Sequence, residues 1–280
     1  MNKPTHILRI ACPDEKGLVH KITGVLYRHG LNIVQNSEFV DTERKRFFMR
    51  TEFTGAPRPT KILKELKGRL PRQSAVELAK SRKKNIVVFV TKEHHCLGDL
   101  LVRHAYGDLH ANIRAVVSNH AGLRDLALRF NVPYHHVPHE GRARSAHEAV
   151  VLKVLRRLRP EYLVLAKYMR VLSEGFVAKF RNRIINIHHS FLPAFAGANP
   201  YQQAADRGVK IIGATAHYVT EELDTGPIIA QEVVPVDHSH GVTDMALAGR
   251  DVEKIVLARA LKLVFEDRIF VSDNKTIVFD

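Results

Sequence analysis

Near-continuous apolar runs dominate the chain beyond residue 85. The first is Ile86-Val87-Val88-Phe89-Val90, and similar runs cover 113–117, 162–166 and 184–187. A strand with one face in water alternates apolar and polar side chains. A strand apolar on both faces must be covered on both, which is the condition of a parallel sheet. Helical patterns separate the runs, at 97–106, 122–130 and 145–158. Strands alternating with helices predict an α/β fold: an open, mostly parallel sheet with helices on both faces. In such sheets ligands bind beyond the carboxyl ends of the strands, so the segments after each run are where chemistry is sought.

The first 80 residues read differently. Ile7-Leu8-Arg9-Ile10 predicts a short strand. Leu18, Val19, Ile22, Val25 and Leu26 recur at steps of three and four, which predicts a helix over 15–28 with those residues on one face. Gly30 suits its C-terminal cap. Strands are predicted over 32–40 and 46–53, joined by Asp41-Thr42-Glu43. A second helix, 60–70, carries Ile62, Leu63 and Leu66 on one side, and a last strand covers 74–79. The order is βαββαβ, a ferredoxin-like arrangement. The polar stretch 80–85, Lys-Ser-Arg-Lys-Lys-Asn, is the expected linker. It divides the chain into domains 1–82 and 83–280.

The net charge is +14, from 43 basic and 29 acidic residues. The basic residues are dispersed and their runs are short, so they read as a solvated surface that also suits a small polyanionic substrate. Nucleic acid is not expected as a partner. No apolar run reaches the length a membrane span needs, and the start is not a signal peptide. The expected compartment is the cytoplasm. Cys12 and Cys96 make neither a disulfide framework nor a metal motif and read as reduced thiols. The pairs His94-His95, His135-His136 and His188-His189 are not expected to bind metal, because neighbours in a strand point to opposite faces.

Asn186 and His188 lie two apart in extended chain, so an amide and an imidazole converge on one point. Both can stabilise a developing oxyanion. Asp224 sits at the turn Leu223-Asp224-Thr225-Gly226-Pro227, where a carboxylate can orient a histidine and position water.

The stretch Asn186-Ile187-His188-His189-Ser190-Phe191-Leu192-Pro193, followed by Asp224-Thr225-Gly226-Pro227-Ile228-Ile229, resembles the catalytic domain of the folate-dependent formyltransferases. Ala166 to Leu172 is similar to that family's folate-site segment. Asp14-Glu15-Lys16-Gly17-Leu18-Val19, with Gly30-Leu31-Asn32-Ile33, resembles an ACT domain. ACT followed by a formyltransferase fold resembles the branch of that family which hydrolyses N10-formyltetrahydrofolate. The stretches 92–101, 197–201 and 249–254 match the same branch.

The resemblance implies catalytic roles for Asn186, His188 and Asp224. It also implies a folate pocket formed by Met169, Arg170, Val171 and Leu172, faced by Val219, Thr220, Glu221 and Leu223. Formyltetrahydrofolate is then the substrate, and no cofactor is expected. An amino-acid effector at the ACT unit and a homo-oligomer are implied too. Related transferases hold a substrate phosphate in a glycine-rich loop after the first strand. Here that segment is Thr91-Lys92-Glu93-His94-His95-Cys96-Leu97-Gly98, with one glycine at its end, which points to water as acceptor. Transfer to an amine acceptor, or a non-catalytic folate or amino-acid sensor, are the alternatives.

Overall fold

The computed structural model describes residues 5–194 and 200–280. The chain divides into two compact units. One comprises the residues up to Arg82 together with 266–270 and 278–280; the other comprises 83–265 with 271–277.

The first unit runs β1 (Thr5–Pro13), α1 (Leu18–Arg28), β2 (Asn32–Asp41), β3 (Arg46–Thr54), α2 (Pro59–Arg69) and β4 (Ala75–Lys80). Its strands form an antiparallel sheet in the order β2-β3-β1-β4. Helix α1 begins at Leu18 rather than at residue 15. Gly17 has φ +86°, a left-handed conformation that cannot continue a right-handed helix. Leu18, Ile22, Val25 and Leu26 bury with Ile62 and Leu66 against Leu8, Ile10, Met49 and Phe53 of the sheet. Val19, expected on that face, is turned outward. Gly30, at φ +67°, closes the helix, with its N–H donating to the Tyr27 carbonyl and that of Leu31 to the Leu26 carbonyl.

The C-terminal residues complete this unit. The buried Arg50 guanidinium donates to the carbonyls of Asp267 and Glu266, at 3.0 and 2.8 Å. The Phe270 ring meets Phe48 edge-on, 5.6 Å between centroids, and lies under the Arg9 guanidinium. The sequence reading closed this domain at residue 82 and did not include that segment.

The second unit runs β5 (Lys84–Val90), α3 (His95–Tyr106), β6 (Ala111–Ser118), α4 (Arg124–Arg129), β7 (Tyr134–His136), α5 (Arg144–Leu158), β8 (Tyr162–Leu165), α6 (Glu174–Val177), β9 (Ile184–His188), α7 (Pro200–Asp206), β10 (Ile211–Tyr218), β11 (Ile228–Pro235) and α8 (Val242–Phe265). Its sheet is ordered β11-β10-β9-β8-β5-β6-β7. The five strands from β9 to β7 are parallel, and β10 and β11 add an antiparallel edge. Val87 and Phe89 of β5 pack with Val151 and Leu155 of α5 and Phe176 of α6, while α3 and α8 pack on each other and on the sheet. The chain ends in a hairpin, β12 (Ile269–Ser272) and β13 (Lys275–Val278). Lys84 and Asn85, expected in the linker, belong to β5, which leaves only 81–83 between the sheets. No described helix is long and apolar enough to cross a membrane.

Candidate active site

Strand β9 extends through His188, so Asn186 and His188 are strand residues rather than the loop beyond it. In register, Asn186 stands opposite His217 of β10, and a bulge between Ala216 and His217 turns the latter. The His217 ring is buried. Its Nδ1–H donates to the Tyr218 carbonyl at 2.9 Å, and its Nε2 lies 3.3 Å from Asn186 Nδ2.

Asp224 arrives from the loop between β10 and β11 with φ +56°. A non-glycine residue in that region is strained, and such strain collects at functional sites. The neighbouring Gly226 makes the turn possible: a Cβ there would lie 1.8 Å from the Tyr218 carbonyl oxygen. The Asp224 carboxylate reaches to 3.4 Å from His188 Nδ1 and 3.7 Å from His217 Nε2. Hydrogen bonds from His188 first, then His217, hold its carboxyl well below the usual carboxylate range. It is therefore an anion at neutral pH. His188 Nε2 is buried and has no hydrogen-bond partner among the described residues. An unpartnered buried ring nitrogen calls for an explanation, and this one belongs to a residue that lines the cavity.

These four side chains line a cavity of about 660 Å³. Met169, Arg170, Val171, Leu172, Val219, Thr220, Glu221 and Leu223 line it as well, so every residue proposed for the site reaches one hollow. Met169, Val171 and Leu223 present more than half of their surface there as exposed apolar area, a setting for a flat aromatic ligand. The segment after β8 is fixed at its root by the Met169 N–H, which donates to Thr91 Oγ1 at 2.9 Å.

The His188 and His189 rings are stacked, 4.9 Å apart and 22° from parallel, and both line the cavity. The expectation that adjacent histidines face apart fails here because β9 ends at His188 and its alternation ends with it. Burial, then Lys167 and His188, push the His189 imidazole down to about 4, so it is neutral at pH 7. His95 is buried on α3, its Nε2 2.7 Å from a carboxylate oxygen of Glu253. Burial lifts the Cys96 thiol far above its ordinary range, which makes it an inert core residue. Of the stretch 197–201, residues 197–199 lie outside the described residues.

Sequence reasoning missed His217. Its signal was present: Thr215 and His217 are polar residues two apart in an apolar strand, the same pattern that exposed Asn186 and His188. Lys167, Tyr201 and Glu253 fell within stretches matched to the family but were given no role, and they line the same cavity.

A formyl-transfer fold with an Asn-His-Asp constellation in its cavity defines a folate-type formyl enzyme. In agreement, the formyl transferase family profile matches residues 84–261 and the ACT domain profile matches 6–70. A formyltetrahydrofolate deformylase from Haemophilus influenzae is 55% identical over 272 residues, covering 97% of this chain and 98% of the relative. The crystal structure of a formyltetrahydrofolate deformylase from Pseudomonas syringae superposes with a TM-score of 0.95 at 41% identity, over 100% of this chain and 96% of that one. Glycinamide ribonucleotide transformylase 1 from Symbiobacterium toebii matches at a TM-score of 0.68 and 30% identity, over 71% of this chain and 95% of its own. The chain belongs to the formyltetrahydrofolate deformylase family, with an ACT domain ahead of a formyl transferase domain.

Proposed function

We propose that the enzyme hydrolyses N10-formyltetrahydrofolate to formate and tetrahydrofolate, with Asn186, His188 and Asp224 acting on the formyl group and His217 positioning them. The observation that carries this reading is the Asp224 carboxylate held 3.4 Å from His188 Nδ1 at the wall of an open cavity. Asp224 orients water and takes its proton as the water oxygen attacks the formyl carbon. The oxyanion that forms is met by protonated His188 and by an Asn186 N–H. The bond from that carbon to the folate nitrogen then breaks, with the proton delivered to the nitrogen through His188. Removing one oxyanion donor costs on the order of 10²–10³ in rate. Met169 to Leu172 and the loop 219–223 take the pterin, and the basic surface favours the anionic tail.

The test is incubation with formyltetrahydrofolate alone, following formate. Formate released without any amine, and lost in Asp224→Asn, is the expected result. Turnover that needs an added amine would make the protein a transferase, and tight binding without turnover would make it a sensor.

This reading also includes an amino-acid effector at the ACT unit and a homo-oligomer. Strand β2 is an edge strand with Val34, Phe39 and Val40 exposed, the kind of edge that a second copy covers. The two buried free thiols suit the reducing cytoplasm, and the formate released would serve purine biosynthesis.

A further inference from the structure

The cavity has a wall that the hydrolytic scheme does not use. Glu253 of α8 is 1% exposed, and its carboxylate is shared by three donors. These are His95 Nε2 at 2.7 Å, Tyr201 Oη at 3.0 Å and Lys167 Nζ at 3.2 Å. Burial alone would raise this carboxyl, but the His95 hydrogen bond and the Lys167 charge outweigh it and hold it at about 2. Glu93 completes the set, 3.6 Å from Lys167 Nζ.

Two backbone concessions serve this cluster. Lys167 stands at φ +65°, a costly conformation for a residue with a side chain. Gly249 makes room for Tyr201, because a Cβ there would fall 2.0 Å from the tyrosine oxygen. Buried charges contribute little net stability even when paired. A strained lysine and an obligatory glycine spent on such a cluster therefore point to function.

The cluster reaches the reacting groups through one ring. His189 stacks on His188 and lies 6.3 Å from Tyr201, centroid to centroid. We propose that Lys167, Glu253 and Tyr201, with His95 holding Glu253 from behind, are the acceptor-determining residues: the first three fill the side of the cavity from which an amine would approach the formyl carbon and leave room for water. Three of the roughly four lone-pair positions of the Glu253 carboxylate are already taken, so it has little left to bind an incoming substrate. The bulk of Tyr201 occupies the space. This inference rests on the assignment of Asn186, His188 and Asp224 given above.

The test is competition between water and glycinamide. Attack by the amine forms a new C–N bond as the bond to the folate nitrogen breaks, and the amine proton ends on that nitrogen. The readout is the ratio of formylglycinamide to formate, which does not depend on how much enzyme is folded. The full-length protein should give formate only. Tyr201→Ala opens the wall, and separately the near-isosteric double change Lys167→Met with Glu253→Gln removes its charge without stranding a partner of that ion pair. At least one of them should raise the ratio by roughly tenfold or more, the scale on which pocket shape discriminates. Equal ratios in the parent and in every variant that folds would overturn the proposal, as would formylglycinamide from the parent itself. Adding Asp224→Asn to an opened variant keeps the two readings apart. Loss of both products supports the site assignment, whereas retained turnover sinks that assignment and leaves the ratio to decide the wall.

Discussion

Asp224 and His189 sit within one site and are tuned in different ways. The carboxylate is kept charged by the two imidazoles beside it, whereas the His189 ring is kept neutral by burial and by Lys167. Asp224→Asn should lower kcat by about 10²–10³ with the melting temperature little changed, read by formate release and calorimetry. His217→Ala should remove the partner of Asn186 and lower kcat by roughly tenfold or more, with a smaller effect on KM. The neutral His189 makes stability depend on pH. Its folded pKa, about 4, lies below the ordinary imidazole value of 6.5, so between those values the unfolded chain binds a proton that the native protein does not. Stability should therefore be complete above pH 6.5 and fall as the pH drops toward 4, by up to about 3 kcal/mol. His189→Gln should flatten that slope, measured by urea midpoints at pH 7 and pH 5.

At the scale of elements, the loop between β10 and β11 is the most demanding piece of the site. It must carry Asp224 back over β9 and β10, and Gly226 is its tightest point, with the Tyr218 carbonyl where a Cβ would go. Gly226→Ala should displace Asp224 and cost at least about tenfold in kcat while the far-ultraviolet circular dichroism stays as it was. The periodicity of apolar residues made most of these elements legible. Runs such as 86–90 and the i, i+3, i+4 pattern of Leu18 to Leu26 need only local sequence to be read. The 24-residue α8 and strand β10 were not anticipated, and neither was the α1 start at Leu18. Buried Glu253 and Gly249 interrupt the amphipathic pattern of α8, and Thr215 and His217 interrupt the apolar run of β10. Function had overwritten the folding signal at those positions. Asn186, His188 and Asp224 were visible through motif, whereas the Lys167 and Glu253 pair, 86 residues apart, is joined only by the tertiary fold.

At the scale of the whole molecule, β2 makes the clearest prediction. If a second copy seats on β2 as proposed, Phe39→Lys or Val34→Lys, which places a charge on its exposed edge, should shift the protein toward monomer in size-exclusion chromatography while formate release persists. The first unit also borrows its last segment from the opposite end of the chain. Arg50 finds carbonyl acceptors only at 266 and 267, and Phe48 finds its edge-on ring at 270. The first unit can therefore close over Phe48 and the Arg50 guanidinium only once a segment some 217 residues further along the chain has been made.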